Sequence, residues 1–294
     1  MKLYAKKSLG QHFLNSKHVL GQIIEAAQLQ KGETVLEIGP GTGILTEALL
    51  EAGANVVAIE KDHRAIELLR IRFEVASQSG QLVVIEGDIL DEGLIDQLSM
   101  INRNNGPETT VKRNVASLKN REYSIVANIP YYITGAILEK FLEHEPRPNR
   151  MVLLVQKEVA ERIVAGRDEK ALNKKESILS ISIKAFGKPT IITSVPRGAF
   201  TPAPTVDSAV LSITNISDDR FTEKHVAISR FFSLVKAGFA HKRKFLIRNL
   251  EPEIDPTLLD QIWNQLKLDK KIRAEDVSVE QWIDISHVWI TLHP

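Results

Sequence analysis

Five short apolar, β-rich runs recur along the first half of the chain, each separated from the next by material that can be helical. They are TVLEIG from Thr34, NVVAIE from Asn55, QLVVIEGD from Gln81, YSIVANI from Tyr123 and RMVLLVQ from Arg150. Strand and helix in alternation predict a parallel, doubly wound α/β sheet, because parallel neighbours must be joined by a crossover. Ahead of them, Val19, Leu20, Ile23, Ile24 and Ala27 recur at helical spacing behind Ser16, a ready N-cap, so a basic leader feeds directly into a helix. After a helical stretch around ESILSISIKAFG, the runs KPTIITSV and SAVLSIT flank the Pro-rich segment RGAFTPAPTVD and read as an appended hairpin.

Beyond Thr214 the β-type runs stop. HVAISRFFSLVKAGF, PTLLDQIWNQLKL and SVEQWIDISHVWI read as helices, which predicts an α/β domain over 1–214 and a small all-helical domain over 215–294. The polar stretch between Ser99 and Glu122 sits awkwardly in a compact αβ unit and is expected to be an exposed insertion. A length of 294 residues fits one large and one smaller domain, and 43% apolar with 26% charged residues is an ordinary globular composition. The net charge of +1 decides nothing about nucleic acid, since clustering rather than the sum governs such binding. With no cysteine, disulfide scaffolds, cysteine-ligated zinc and thiol nucleophiles are excluded. No apolar run has the length of a signal peptide or a membrane span, and the expected compartment is the cytoplasm.

EIGPGTG, Glu37 to Gly43, leaves a predicted strand and enters a predicted helix. Glycines there let the backbone approach a ligand, and the helix start presents free amides, although a ligand-free tight turn has the same look. Some 20 residues on, Glu60 ends the second strand, where an acid of a Rossmann-like sheet accepts from both ribose hydroxyls of an adenosine. Asp88, in EGDIL, ends the third strand and can accept from an adenine amino group while Ile89 covers the ring; it also reads as a turn aspartate. The turn is not G-x-G-x-x-G, and Glu37 before it suits a cationic ligand better than a phosphate. This series resembles the class I S-adenosylmethionine-dependent methyltransferases. The resemblance implies a methyl donor passing over Gly39 and Gly41, held by Glu60, Asp88 and Ile89.

The fourth strand ends in Asn128-Ile129-Pro130-Tyr131-Tyr132, at the sheet edge where the methyl group would lie. An adenine amine is a poor nucleophile because its lone pair is delocalised into the ring. The Asn128 side-chain carbonyl and the Ile129 backbone carbonyl, turned outward beside Pro130, could each take one N–H and free that lone pair. Positioning and hydrogen bonding then suffice against a sulfonium electrophile, with no metal and no covalent intermediate. Chemistry on a base requires it to leave its stack. Tyr131 is the expected stacking face, and Phe200, in RGAFTPAP, the expected opposite face; core packing is the other reading of Phe200.

With these residues in place, the chain is identified as a member of the small-subunit (16S) ribosomal RNA adenine N6,N6-dimethyltransferase family. KKSLGQHFL at Lys6–Leu14, EIGPGTG, NIPYY, LVQKEVAERIVA, AFTPAPTVDSAV and GFAHKRKFLIRNL at Gly238–Leu250 carry the resemblance along nearly the whole chain. It implies S-adenosyl-L-methionine as donor and S-adenosyl-L-homocysteine as product. It also implies two adjacent adenines near the 3′ end of 16S RNA, in an immature small subunit, as substrate, and a monomeric enzyme. His12 and Leu14 would line the cofactor pocket with Gly39, Glu60, Asp88 and Asn128, although a lone histidine ordinarily reads as packed or solvated. The basic run His241-Lys242-Arg243-Lys244, with Lys236 and Arg248 expected on neighbouring helical turns, matches an element that faces RNA. Lys6 and Lys7 could hold phosphates beside the leader, contacts that position rather than specify. Two rivals are a 23S RNA adenine methyltransferase of the macrolide-resistance type and a non-catalytic assembly or transcription factor of the same fold. KRKFLIRNL with AFTPAPTVDSAV argues against the first, and intact Asn128–Tyr131 against the second. A small-molecule methyltransferase leaves the basic elements and the helical domain unexplained.

Overall fold

The computed structural model describes residues 5–6, 10–94, 108–166 and 175–292. Its contacts divide the chain into two compact units, 1–160 with 190–216 and 161–189 with 217–294.

In the first unit a short strand β1 (Phe13–Leu14) precedes helix α1 (Lys17–Ala27), whose N-cap Ser16 accepts from the Val19 amide and which buries Val19, Ile23 and Ala27. Then come β2 (Thr34–Ile38), α2 (Ile44–Glu51), β3 (Asn55–Glu60), α3 (His63–Arg72), α4 (Glu74–Ser79) and β4 (Leu82–Glu86). They are followed by α5 (Glu108–Lys119), β5 (Tyr123–Asn128), α6 (Thr134–Glu143), β6 (Arg150–Gln156) and the start of α7 (Lys157–Val164), whose residues from 161 on count with the second unit. All five expected runs are strands, and β4-β3-β2-β5-β6 lie side by side with every pair parallel. The interior residues of these strands are buried, as covered parallel sheets require.

The stretch expected as an exposed insertion is corrected in part: residues 108–119 form α5, with Asn114, Val115 and Leu118 buried. The physical reason is topological. Passing from β4 to β5 in parallel needs a crossover, and Val115 and Leu118, three apart, turn one apolar face of α5 inward. Asn114 Nδ2 donates to the Gly80 carbonyl at 3.0 Å, which meets the polar demand of that buried position. Residues 95–107 lie outside the described ones, as do 167–174.

Helix α8 (Ile178–Phe186) leads to β7 (Lys188–Val195), β8 (Phe200–Thr201) and β9 (Ser208–Thr214). The last two long runs extend the sheet in the order β6-β9-β7, with β9 antiparallel to β6, and the two-residue β8 pairs antiparallel with β1.

The second unit holds α8 and the helices α9 (Asp219–Thr222), α10 (Ile228–Gly238), α11 (Leu246–Leu250), α12 (Pro256–Leu266) and α13 (Val279–Leu292). The expected single break at Thr214 therefore differs from the contacts, which place 161–189 with the C-terminal helices. Aromatic packing accounts for this: Phe186 lies 5.2 Å from Phe221 and 6.1 Å from Phe232 between ring centroids. Among the described residues, no helix is long and apolar enough to cross a membrane.

Candidate active site

The chain leaves β2 towards β3 and β4 on one side and returns to β5 on the other. In an open parallel sheet such a reversal leaves a crevice at the carboxyl ends of the strands. A cleft lies there, lined by Gly10–Leu14, Glu37–Thr42, Glu60–Lys61, Gly87–Leu90 and Asn128–Ile133. Of the expected cofactor residues, His12, Leu14, Gly39, Gly41, Glu60, Asp88, Ile89 and Asn128 all line it.

The turn after β2 is shaped by glycine. Gly39 and Gly41 have φ of 66° and 57°, the left-handed region that side chains resist. A Cβ on Gly41 would stand 2.9 Å from Cε1 of Phe13, so the absence of a side chain lets the leader close over this turn. Gly41→Ala combines that clash with left-handed strain of about 1–2 kcal/mol. The expected result is a S-adenosylmethionine affinity lowered roughly tenfold or more with a lower melting temperature, read by calorimetric titration and thermal unfolding. An affinity equal to wild type would contradict this packing.

Three acids stand along the cleft in different states. Glu37 is 1% exposed, and burial pushes its carboxyl up to about 8 against the opposing pull of the Thr46 hydroxyl, which donates to Oε2 at 2.7 Å. Its other oxygen, Oε1, is buried with no hydrogen-bond partner among the described residues. Glu60 is raised by burial too, yet its carboxylate is fixed by backbone amides: Gly41 N–H donates to Oε2 at 3.0 Å, and Lys61 and Asp62 N–H both donate to Oε1 at 2.8 Å. Asp88 is held below its usual value, chiefly because the Lys61 ammonium donates to it at 2.7 Å, with the Leu90 amide on its second oxygen. Sequence reasoning missed Thr46 and Lys61, since neither lies in a motif that announces a partner.

The leader is tied down at several points. Leu14 pairs with Phe200 and Phe13 with Thr201. The Asn15 amide donates to the Ala199 carbonyl at 2.9 Å, and His12 Nδ1 lies 2.8 Å from the Pro202 carbonyl, so that nitrogen carries the proton. Gln11 Nε2 donates to Asp62, an N-cap of α3 that the Arg64 guanidinium holds at about 2.

The Asn128 Nδ2 donates to the His12 carbonyl at 3.0 Å. A carbonyl can only accept, so the carboxamide must present nitrogen to it and turns Oδ1 away as an open acceptor. Ile129 is buried, and Ile129 and Pro130 continue the cleft wall. Tyr131 is half-buried, its hydroxyl 2.5 Å from Ser208 Oγ and its ring stacked near His12 with centroids 6.0 Å apart. Phe200 requires a correction: it is 3% exposed, belongs to the core with Leu14, Val195 and Val210, and does not line the cleft. Its pairing with Leu14 under the leader explains why: the apolar ring fills space beneath β1.

The basic candidates divide between the two units. In the first, Lys6 is half-exposed with its ammonium 3.8 Å from Asp62, and Lys7 lies outside the described residues. In the second, Lys236 is exposed on α10 and Arg248 lies on α11, both helical as expected, while Lys242, Arg243 and Lys244 occupy a turn between the two helices. Buried Asn249 explains the turn, donating through Nδ2 to the carbonyls of Gly238 at 2.6 Å and His241 at 3.1 Å. Arg248, on α11, is paired with Glu251 at 2.5 Å.

The order of the sheet, the Gly-rich turn, the strand-end acids and an asparagine acceptor form one pattern, and residues 2–290 match the family described as ribosomal RNA adenine dimethylase. The chain belongs to the ribosomal RNA adenine dimethylase family. Members of this family are S-adenosylmethionine-dependent methyltransferases, so the chain is an enzyme of that kind. A relative from Rippkaea orientalis, named ribosomal RNA small subunit methyltransferase A, is 39% identical over 98% of each chain. One from Dehalococcoides mccartyi with the same name is 38% identical over 95% of this chain and 87% of its own. Among solved structures, a dimethyladenosine transferase from Plasmodium falciparum is 25% identical with a TM-score of 0.71, over 93% of this chain and 96% of that one. The 23S rRNA methyltransferase ErmE, 21% identical with a TM-score of 0.64 over 95% and 99% of the two chains, shows the same fold. The expected class I methyltransferase architecture is thus the one observed.

Proposed function

We propose that this enzyme dimethylates N6 of two adjacent adenines in a hairpin near the 3′ end of 16S rRNA, acting on an immature small subunit. The observation that carries the reading is the orientation of Asn128. Its Nδ2 donates to the His12 carbonyl, which leaves Oδ1 as an acceptor on a residue that lines the cleft next to Ile129, and this suits an amine with two hydrogens to give. Relatives at 33–39% identity named for the small subunit support the choice of RNA.

S-adenosylmethionine fits the residues present. The unpartnered Oε1 of Glu37 asks for a hydrogen-bonding cation, which the amino group of the methionine part provides, and Gly39 and Gly41 leave room for a close backbone approach. Glu60 would hold the ribose, and Asp88, after sharing or releasing Lys61, the adenine amine with Ile89 against the ring. Bound there, the donor supplies an electrophilic methyl on sulfonium sulfur. Asn128 and the Ile129 carbonyl would draw the adenine amine towards tetrahedral geometry, and Tyr131 would support the flipped ring. The amine proton is lost to water after transfer. In the second unit, Lys236, Lys242, Arg243, Lys244 and Arg248 would contact phosphates, with Lys6 and Lys7 doing so in the first.

Purified protein given labelled S-adenosylmethionine and small-subunit particles lacking the modification is expected to place label in small-subunit RNA as N6,N6-dimethyladenosine. Incorporation only into large-subunit RNA would overturn the choice of substrate, and none into either would overturn the reading.

A further inference from the structure

The last residue of Asn128-Ile129-Pro130-Tyr131-Tyr132 has no role in the mechanism above, yet it is the most conspicuous aromatic of the cleft. Tyr132 is 68% exposed at the cleft wall, next in sequence to the residue read as the stacking face. One side of its ring is backed by the leader: a Cβ on Gly10, a left-handed position with φ of 58°, would approach Cδ1 and Cε1 to 3.2 Å. Glycine there lets the backbone pass close to that edge of the ring, while the side chain stays largely exposed to solvent. Its hydroxyl has no hydrogen-bond partner among the described residues. The Lys61 ammonium, 60% exposed in its side chain and bound to Asp88, lines the same cleft as Tyr132 and keeps donors in reserve.

An exposed aromatic ring, held along one edge by the leader and sharing its cleft with an ammonium, has the chemistry of a single-stranded nucleotide subsite: the ring takes a base and the cation its phosphate. Burying such a ring in the core would have been the ordinary outcome for an apolar side chain next to a strand end. Tyr131 took that course in part, through Ser208. We infer that Tyr132 and Lys61 form a subsite for the nucleotide adjacent to the target adenine, with the neighbouring base stacked on the Tyr132 ring. The inference rests on the reading of the cleft as an RNA adenine site and adds a second base to it. For a substrate with two adjacent adenines, the one awaiting methylation would occupy this platform while its neighbour is in the cleft.

The test uses small-subunit particles assembled with RNA in which one of the two adjacent adenines is 2-aminopurine, whose fluorescence is quenched by stacking. Wild type and Tyr132→Trp are expected to quench it. Tyr132→Ala and Tyr132→Leu, the latter keeping an apolar contact with Gly10, are expected not to. Both should raise KM for the particles by about 5-fold to about 150-fold, the range that one stacked base confers, with S-adenosylmethionine affinity as in wild type. Lys61→Ala should raise KM less and leave the quenching in place. Quenching and KM unchanged in Tyr132→Ala and Tyr132→Leu, with wild type active on the particles, would overturn the subsite and leave the proposed function standing. A wild type that methylates no adenine of the particles would bring down both.

Discussion

Asn128→Ala is expected to lower turnover by about 10²–10³-fold at saturating substrate, the usual cost of removing one preorganised hydrogen-bonding group aimed at a reacting atom. The side chain has two ends with separate duties. Nδ2 holds the His12 carbonyl, and with it the leader over the cleft, while Oδ1 is left as acceptor. Alanine removes both, so some loss of S-adenosylmethionine affinity accompanies the loss in turnover. Asn128→Asp distinguishes them. It retains an acceptor but sets a carboxylate against the His12 carbonyl, so cofactor affinity should fall more than turnover does. RNA affinity, measured without cofactor, should match wild type in both variants, because the contacts proposed for phosphate lie elsewhere. Turnover of Asn128→Ala within about tenfold of wild type would remove the side-chain amide from the chemistry.

The second large effect belongs to Glu37. Its carboxyl titrates at about 8 in the folded protein and at 4.5 as a free side chain. Between those values the folded state keeps a proton that the unfolded chain has given up. Stability is therefore full below about pH 4.5, falls as pH rises to about 8 and is level above it, a loss on the order of a few kcal/mol. Glu37→Gln, neutral at every pH and able to accept from Thr46, should flatten this slope and be more stable than wild type near pH 8. Denaturant unfolding of both proteins at about pH 5, 6.5 and 8 reads the difference; parallel pH profiles would show that Glu37 is not the group concerned. Affinity should run the other way. A cationic ligand group at Oε1 favours the ionised carboxylate, so S-adenosylmethionine should bind wild type more tightly as pH rises from about 6 to about 8, releasing a proton in doing so. Glu37→Gln should bind more weakly, with a flat profile over that range.

The sheet was legible because each of its signals is local. TVLEIG, NVVAIE and their fellows announce strands through a handful of consecutive side chains, Ser16 announces a helix start, and EIGPGTG a turn that only glycines make comfortably. Glu60, Asp88 and Asn128 could be placed at the cleft from the same information, since a parallel sheet brings its strand ends to one edge. Residues 108–119 were misread as an insertion because their polar outer face masked an apolar one, and only the need for a crossover between β4 and β5 decided their state. The state of Lys242–Lys244 between two helical segments was not legible; the buried amide of Asn249, donating to the Gly238 and His241 carbonyls, makes them a turn.

What the amino-acid order determined by itself is the class of fold, the family and the cast of the cleft. Only the tertiary structure decided which partners each member of that cast meets. The His12 ring meets the Pro202 carbonyl across 190 positions of sequence, and Asn128 meets the His12 carbonyl across 116. Phe200, expected as a clamp with core packing as the other reading, is core where it pairs with Leu14, and Tyr132, given no role from the sequence, is the exposed ring. Backbone preferences are written into neighbouring residues, whereas the partner of a side chain, and hence its charge, tautomer or free acceptor, is set by whatever the fold brings to it.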